Sequence, residues 1–243
     1  MRENYTLTRL YVAEALAEGG QMSLLEKQVH YLGNVLRKNK GDVIRVFNGR
    51  DGEWSAQILT LTKKHGDLSL LEQIRAPHKS PDIMLCFAPI RKHRTNFIIE
   101  KATELGVRTL KPVITARTQF PKFNIEKACL QAIEAAEQTE RLDIPQIATP
   151  KKLSDMIESW DDRTLIFADE AGDAFPVLNA LGTLKGPAAI LIGPEGGFTP
   201  QEREQLRSQS FVKPVSLGPR ILRADTAALS LLTLWQAVQG DWS

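Results

Sequence analysis

The stretch that most constrains the fold runs from residue 188 to residue 202. It opens with an apolar run at 188–192, made of the residue types that fill a buried strand. The run is interrupted by Gly193, Pro194, Glu195, Gly196 and Gly197. Thr199 and Glu202 then have the spacing of a helix capping box, and Pro200 stands at the first helical position, where its missing N–H is harmless. The pattern predicts a strand, a tight glycine-rich loop and a helix, which is a junction where open α/β sheets bind ligands.

The loop at 193–197 has neither of two familiar nucleotide-binding patterns, G-x-G-x-x-G and G-x-x-x-x-G-K-[ST]. It carries one acid, Glu195, and no lysine. This favours a neutral or cationic ligand held by backbone groups, which glycine allows to approach closely. A plain strand-to-helix turn with spare glycines agrees equally well with the composition.

Two further stretches, together with this one, resemble a known family. Residues 99–107 read I-E-K-A-T-E-L-G-V, residues 192–202 read I-G-P-E-G-G-F-T-P-Q-E, and residues 217–227 read L-G-P-R-I-L-R-A-D-T-A. In these motifs and their order, the chain resembles the ribosomal RNA small subunit methyltransferase E family over essentially its whole length. The family's last motif more usually reads R-T-E-T-A. Here Asp225 replaces that glutamate, which keeps the charge and shortens the reach, so a direct role for this carboxylate stays open.

The resemblance implies a fold and a division into domains. The family belongs to the SPOUT class, so we expect an α/β fold whose mainly parallel sheet is trefoil-knotted and flanked by helices. A small PUA-like β-barrel is expected to precede it. The barrel, at residues 1–75, is expected to bind RNA. Residues 76–243 are expected to form the methyltransferase domain with the knotted cofactor site.

The resemblance also implies an activity, the S-adenosylmethionine-dependent methylation of uridine N3 in small-subunit (16S) ribosomal RNA. The implied partners are ribosomal RNA, in the small ribosomal subunit, and a second copy of the chain in a homodimer. Methyl transfer from a sulfonium needs alignment and exclusion of water but no metal. Loss of the N3 proton puts negative charge on O2 and O4 of the base, which an arginine can stabilise.

Candidate site residues follow from the resemblance and from the predicted loops. Arg223 is the first candidate for the catalytic arginine, followed by Arg220 and by Arg141, which lies in an E-Q-x-x-R element with Glu137. The alternatives are a salt bridge between Arg223 and Asp225, and pairing of Glu137 with Arg141 along a helix. The cofactor is expected among the loops that follow strands ending at residues 168, 192 and 217. Its predicted binding residues are Asp169, Glu170, Gly193, Pro194, Glu195, Gly196, Gly197, Leu217, Gly218, Ile221 and Leu222.

Six basic residues are predicted to bind RNA: Arg37, Lys38, Arg91, Lys92, Arg94 and Arg117. Cations are unfavourable at a helix N-terminus, so the basic loop at 91–94, before a helix predicted at 96–105, suggests an anionic partner. Arg37 and Lys38 stand at the end of another predicted helix. The alternative to RNA binding there is a favourable interaction of the two cations with the helix dipole. Residues 1–80 carry 12 Lys and Arg against 9 Asp and Glu, net +3, whereas residues 81–243 carry 19 against 20, net −1. Ordinary scatter of surface charge explains this difference as well.

The pattern of elements changes along the chain. Strands predicted at 9–12, 43–47, 53–61 and 68–74, with a helix opened by the capping-box spacing of Ser23 and Glu26, indicate a small barrel. Beyond a linker at 76–81, strands are predicted at 83–88, 107–114, 144–148, 164–168, 188–192 and 213–217. Helices are predicted at 96–105, 125–138, 152–160, 175–181, 200–208 and 227–238. This alternation indicates a mainly parallel sheet.

Two details of this half bear on the site. The loop at 169–172 is another candidate ligand loop, after the strand predicted at 164–168. Asp225 or Thr226 is expected to cap the last helix. That helix is apolar on nearly every side, which favours burial against the core and against a second subunit.

Composition is typical of a globular protein, 42% hydrophobic and 25% charged. Cys86 and Cys129 give no disulfide framework, and the 4 histidines have no zinc-ligand spacing, so no metal is expected. A secretory pattern and a bilayer-length apolar run are both missing from the sequence, which predicts a cytoplasmic location and no membrane. Two other classes stay open, a non-catalytic RNA-binding or ribosome-assembly protein and a small-molecule enzyme with a doubly wound fold.

Overall fold

The computed structural model describes residues 6–170, 174–184 and 186–242, and the chain divides into two compact units. The first unit comprises Met1–Lys79 and Ala136–Ile144, and the second comprises Ser80–Ala135 and Pro145–Ser243. The inclusion of Ala136–Ile144 in the first unit is not anticipated by the sequence. The assignment of RNA binding and catalysis to separate domains stays a prediction.

The first unit is built on a five-stranded sheet with the order β1-β3-β4-β5-β2. Its strands are β1 (Arg9–Tyr11), β2 (Gln21–Ser23), β3 (Val43–Asn48), β4 (Gly52–Leu61) and β5 (Gly66–Arg75). Strands β1 and β3 are parallel, and the other neighbours are antiparallel. Alternate residues such as Ile44, Val46, Ile58 and Leu68 point into its buried core. The predicted small β-rich unit is confirmed, and β2 is an additional edge strand.

The helical segment of this unit differs from the prediction at its start. Helix α1 (Glu26–His30) continues into a π-helical turn (Tyr31–Val35). The predicted cap, Ser23, is wrong, because Ser23 lies in β2 opposite Asp67 and its Oγ donates to the Asp67 carboxylate at 2.8 Å. Leu25 occupies the N-cap, and its N–H donates to Oε1 of Gln28 at 2.9 Å. Strand pairing with β5 therefore decides where the helix begins.

The second unit is an eight-stranded sheet flanked by helices. Its strands are β6 (Ile83–Phe87), β7 (Thr109–Ile114), β8 (Gln146–Ile147), β9 (Lys151–Lys152), β10 (Thr164–Ala168), β11 (Phe175–Pro176), β12 (Ala188–Ile192) and β13 (Val212–Ser216). The order is β11-β13-β10-β12-β6-β7-β8, with β9 beside β7. Within the described ranges every neighbouring pair is parallel, which confirms the predicted mainly parallel sheet.

The position of β12 matters for function. It follows β6 and β10 in the chain but lies between them in the sheet. Its five residues are all buried, as the apolar run predicts. The carboxyl ends of parallel strands share one edge of a sheet, so the glycine-rich loop after β12 emerges at the centre of that edge. The trefoil knot implied by the resemblance stays a prediction.

The remaining helices are α2 (Lys92–Glu104), α3 (Ile125–Gln138), α4 (Leu153–Glu158), α5 (Val177–Leu181), α6 (Pro200–Arg207) and α7 (Ala224–Gln239). Two predicted starts differ by three residues or more, and the first two residues of the helix predicted at 175–181 form β11 instead. Helix α2 begins four residues before Asn96, because the Arg91 carbonyl accepts the N–H groups of Arg94 and Thr95. Helix α7 begins at Ala224 with Arg223 at the N-cap, so neither Asp225 nor Thr226 caps it.

Helix α7 is buried along one face, which includes Ala228, Leu231, Leu232 and Trp235. This face packs against α2, α5 and β12. Thr233, on another face, is exposed. Gln236 is the buried polar residue of this helix, and its side-chain amide donates to the Leu105 carbonyl. The helix is therefore amphipathic within the second unit rather than buried on every side.

Candidate active site

A cavity of about 280 Å³ lies at the carboxyl ends of β10, β12 and β13. Three loops line it, one after each of these strands, as expected for the cofactor site. The predicted residues that line it are Asp169, Glu170, Gly193, Pro194, Glu195, Gly197, Leu217, Gly218, Arg220, Ile221, Leu222 and Arg223. Residues 171–173, which include part of the candidate loop at 169–172, lie outside the described residues. The structure thus brings together nearly all of the predicted cofactor residues, whose roles stay predictions.

The glycine-rich loop is held by the capping box that the sequence predicts. The Glu202 N–H donates to Thr199 Oγ1 at 3.2 Å, and the Thr199 N–H donates to Glu202 Oε2 at 2.9 Å. The other carboxylate oxygen of Glu202 accepts the Ala116 N–H at 2.8 Å. Because both ends of the loop are fixed by β12 and by this cap, its backbone is preorganised for a ligand.

The glycines of this loop are not equivalent. Gly197 has φ +64°, and a Cβ there would collide with Oε1 of Glu170 and lie 3.2 Å from its Cδ. A Cβ at Gly193 would lie 2.6 Å from the Phe198 ring. At Gly196 the nearest atom is the Arg117 Cβ at 3.4 Å, which is an ordinary contact. Close packing against Phe198 therefore requires glycine at 193, and the left-handed backbone conformation favours glycine at 197. Gly196 faces Arg117 and is not among the cavity-lining residues.

The acids of the cavity differ in their partners. The Asp169 side chain is almost fully buried and accepts hydrogen bonds from Arg203 Nε at 3.0 Å and from Arg207 Nε at 2.8 Å. The Asp169 carboxylate is therefore already paired with two arginines of α6. Glu170 and Glu195 are exposed and form no ion pair or side-chain hydrogen bond within the part of the chain that the structure describes. Among the described acids that line the cavity, these two carboxylates are the ones available to a ligand.

Arg220 and Arg223 line the same cavity from the loop after β13. Both are exposed, and neither forms an ion pair or a side-chain hydrogen bond with another described residue. The alternative that Arg223 pairs with Asp225 is not observed, because Asp225 Oδ2 accepts from Arg94 Nη1 at 2.7 Å. The two guanidinium groups are thus free to meet a substrate.

Arg141, the third catalytic candidate, is not among the residues that line this cavity. It belongs to the first unit, is buried, and its Nε lies 3.1 Å from Asp143 Oδ1. Its carbonyl oxygen accepts from Arg9 Nη2 at 2.9 Å. In this conformation Arg141 therefore contributes to packing within the first unit, and a catalytic role for it stays a prediction.

A buried network of charges in the first unit was missed by the sequence analysis. It joins Arg9, Arg45 and Arg75 to Glu53 and Glu140. Glu53 is fully buried and lies 2.6 Å from Arg9 Nε, and Glu140 lies 2.8 Å from Arg45 Nη2 and 3.0 Å from Arg75 Nη1. Burial acts to raise the pKa of Glu140, but the hydrogen bond from Arg45 and the charges of the three arginines lower it overall. The network ties Ala136–Ile144 to the sheet of this unit. Its signal in the sequence was the isolated charges of Arg9, Arg45 and Glu53 within predicted strands.

The predicted RNA-binding residues have different surroundings. Arg37 (φ 53°) is exposed and Lys38 half-buried at the end of the helical segment of the first unit. Arg91 and Lys92 are exposed at the start of α2. Two others have internal partners: Arg94 pairs with Asp225 as described above, and Arg117 Nη1 donates to the Gly196 carbonyl at 2.9 Å. Arg117 therefore supports the glycine-rich loop as well as lying on the surface.

Sequence relatives identify the family of this chain. It is 36% identical over 226 residues to the ribosomal RNA small subunit methyltransferase E of Rickettsia conorii, covering 92% of this chain and 93% of that protein. The chain belongs to the ribosomal RNA small subunit methyltransferase E family. The protein of the same name from Synechocystis agrees with this membership. It is 37% identical to this chain over 226 residues, covering 90% of this chain and 74% of that one. The resemblance drawn from three motifs is thereby confirmed.

Family models and solved structures agree with this membership. A model described as an RNA methyltransferase domain matches residues 78–236, and one described as an RNA methyltransferase PUA domain matches residues 24–71. The fold is similar to that of a Legionella pneumophila protein described as a methyltransferase and solved with bound S-adenosylmethionine. The TM-score is 0.86 at 29% identity, and the match covers 97% of this chain and 99% of that one. The methyltransferase E of Neisseria gonorrhoeae, solved with the same cofactor, has a TM-score of 0.86, 27% identity and coverage of 98% and 100%.

No group of three or more His, Cys, Asp or Glu side chains among the described residues is placed to hold a metal ion. None of the helices in these residues is both long and apolar enough to cross a membrane.

Proposed function

We propose that this protein transfers a methyl group from S-adenosylmethionine to N3 of a uridine in small-subunit (16S) ribosomal RNA. The observation that carries the proposal is the cavity at the centre of the parallel sheet. It combines a preorganised glycine-rich loop, two carboxylates available to a ligand and two arginines that have no ion-pair or side-chain hydrogen-bond partner among the described residues. This combination occurs in a chain that belongs to a methyltransferase family whose relatives carry this name.

The residues of the cavity fit S-adenosylmethionine. When bound, this cofactor supplies a methyl group on a positively charged sulfur. Glu170 and Glu195 offer carboxylates to its positive charges and hydroxyl groups, and charge-assisted hydrogen bonds of this kind are among the strong ones. The backbone at Gly193 and Gly197 allows close approach, and Leu222 adds an apolar wall.

In this proposal, Arg223 stabilises the charge that develops on the uridine. Removal of the N3 proton makes O2 and O4 of the base negative, and a guanidinium presents several donors in a fixed plane to such oxygens. Arg223 occupies the N-cap of α7, where the positive end of the helix dipole adds to its charge. Because the side chain has no partner among the residues described, no internal bond must break before it acts. Arg220, on the same loop, is the second donor.

We also propose a homodimer and a cytoplasmic location. The large apolar side chains of Phe175, Leu178 and Ile221 are 73%, 55% and 81% exposed. Covering such side chains with a second copy would remove apolar surface from water. Sedimentation at micromolar concentration tests this, and a stable monomer would contradict it. The location follows from the proposed substrate, the small ribosomal subunit.

The proposed activity is tested by mapping methylated uridine in 16S ribosomal RNA by mass spectrometry. Small subunits from cells that lack the protein are incubated with purified protein and S-adenosylmethionine. We expect one uridine to gain a methyl group at N3, and the Arg223→Ala variant serves as the control. Cofactor binding without any RNA methylation would favour a small-molecule enzyme. RNA binding without cofactor binding would favour a non-catalytic assembly protein.

A further inference from the structure

The second unit contains another cavity, of about 460 Å³, beside the first turns of α2 and α3. We call it the lysine pocket and define it by Lys92, Asn96, Phe120, Lys122, Phe123 and Lys127. Of these residues the sequence analysis singled out Lys92 alone. The pocket shares no lining residue with the cavity proposed for the cofactor.

The charge of the lysine pocket is unbalanced. Three lysines line it, and none of the described residues that line it is an aspartate or glutamate. Lys92, Lys122 and Lys127 are exposed and form no ion pair with an acid anywhere in the described ranges. The ammonium groups of Lys92 and Lys127 approach each other, which lowers the pKa of Lys127. Like charges this close repel each other, so an anion bound between them would be stabilised.

The helix ends increase this preference for an anion. Lys92 is the first residue of α2, and Lys127 lies in the first turn of α3. Cations oppose the helix dipole at this end, whereas anions are favoured there. Two exposed lysines that line one cavity from the first turns of two helices therefore favour an anionic ligand.

The pocket also presents an aromatic surface. The Phe120 side chain is 40% exposed at its rim. Phe123 is half-buried and packs edge-on against Phe87, with ring centroids 6.1 Å apart, which holds that side of the pocket in place. Exposed aromatic rings beside lysines are the arrangement that binds single-stranded nucleic acid, with bases stacked on rings and phosphates on cations. Asn96 adds an amide that can bond a base edge.

The location of the lysine pocket links it to the cofactor cavity. Strand β6, which leads into α2, lies next to β12, and the Ala88 N–H donates to the Ile192 carbonyl at 3.0 Å. The loop after β7 reaches the glycine-rich loop through Arg117, whose Nη1 donates to Gly196. Phe120 follows Arg117 by three residues, a distance of roughly 10 Å at most along the chain. Both cavities therefore open at the same edge of the sheet.

We propose that the lysine pocket binds a nucleotide that flanks the methylated uridine. Its phosphate would lie against Lys92, Lys122 and Lys127, and its base against Phe120. RNA as the ligand rests on the proposed function, whereas the anionic and aromatic character of the pocket does not. Contacts to a flanking nucleotide would let the enzyme select the sequence context of its target without contacting the target base.

The test measures binding of a fluorescein-labelled uridine hexanucleotide to the full-length protein by fluorescence anisotropy at several salt concentrations. The variants are Lys122→Gln with Lys127→Gln, and Phe120→Ala. The matched control is Lys152→Gln with Lys213→Gln, two exposed lysines of the same unit outside both cavities. Cofactor affinity and thermal unfolding, measured on each variant, show that it is folded.

We expect the pocket lysine variant to bind the probe about tenfold more weakly and to reduce the slope of log affinity against log salt by about 1.4. Phe120→Ala should weaken binding by about tenfold with the slope unchanged, because stacking involves no ion release. The control variant should keep nearly all of its affinity. Cofactor affinity should be unaffected in all three.

Three results would overturn the inference. The first is unchanged affinity and slope in the pocket lysine variant. The second is a reduced slope with a neutral Phe120→Ala, which would mean that the pocket holds a phosphate without a base. The third is displacement of the probe by a polyglutamate peptide more readily than by unlabelled RNA, which would indicate an acidic protein partner. Loss of probe binding in both pocket variants, without methylation by the wild type, would refute the proposed activity and leave the pocket assignment intact.

Discussion

Replacing Gly197 by alanine tests whether the glycine-rich loop is built for a ligand. Gly197 has φ +64°, and its N–H donates to the Pro194 carbonyl at 2.9 Å, which closes a tight turn. An added Cβ would collide with the Glu170 carboxylate. The substitution therefore acts on the backbone and on a proposed cofactor ligand at once.

The two effects have different sizes. An alanine in the left-handed region costs about 1–2 kcal/mol. For a chain of this length, that lowers the midpoint of thermal unfolding by roughly 2–8 °C. The Glu170 side chain is exposed and can swing away, so the collision itself adds little to the loss of stability. Displacing its carboxylate would remove a charge-assisted hydrogen bond to the cofactor, about 1.5–3 kcal/mol, which is roughly tenfold to hundredfold in affinity.

Gly196→Ala is the matched control. Gly196 lies outside the left-handed region, and a Cβ there would make an ordinary 3.4 Å contact with Arg117. The sequence analysis treats the two glycines alike, whereas the structure separates them. Calorimetric titration with S-adenosylmethionine should show near wild-type affinity for Gly196→Ala. For Gly197→Ala it should show the loss of roughly tenfold to hundredfold in affinity. Equal affinities in the two folded variants would refute this reasoning.

Three further predictions concern single side chains and pH. Arg223→Ala and Arg223→Lys should each slow single-turnover methyl transfer by roughly a hundredfold, with cofactor affinity and thermal stability near wild type. A fall in stability with normal methylation would show instead that this arginine has a structural role. Glu53→Gln should lower the free energy of unfolding, measured in urea, by about 3 kcal/mol, because buried arginines lose their charge partner; a change below about 1 kcal/mol would count against the network. The pKa of Glu140 is lowered from its ordinary value of 4.5 in the folded protein. Its contribution to stability should therefore be complete above that value and be lost as pH falls through the lower, folded pKa. Urea midpoints of wild type and Glu140→Gln between about pH 6 and pH 3 should converge at the acid end, and a constant difference would contradict this.

The sequence by itself determined the features that depend on neighbouring residues. The apolar run of β12, the glycine break and the capping box of Thr199 and Glu202 are local, and each was predicted within a residue or so. Parallel strand ends meet at one edge of a sheet, so the three loops of the cofactor cavity could also be predicted without knowing the strand order. Local propensity failed where pairing with a distant strand competed with it, as at Ser23, which pairs with β5 and so cannot cap α1.

The tertiary structure alone decided which charged side chains are available to bind a ligand. Asp169 and Glu170 are adjacent in the sequence, yet the first is bound by two arginines of α6 and the second is exposed. Arg141 is the last residue of the E-Q-x-x-R element but is buried beside Asp143 in the first unit. The lysine pocket joins first turns of two helices that start more than thirty residues apart in the chain. A charge acts on a ligand only if no closer partner neutralises it, and these partners are brought together by folding over separations that no local pattern records.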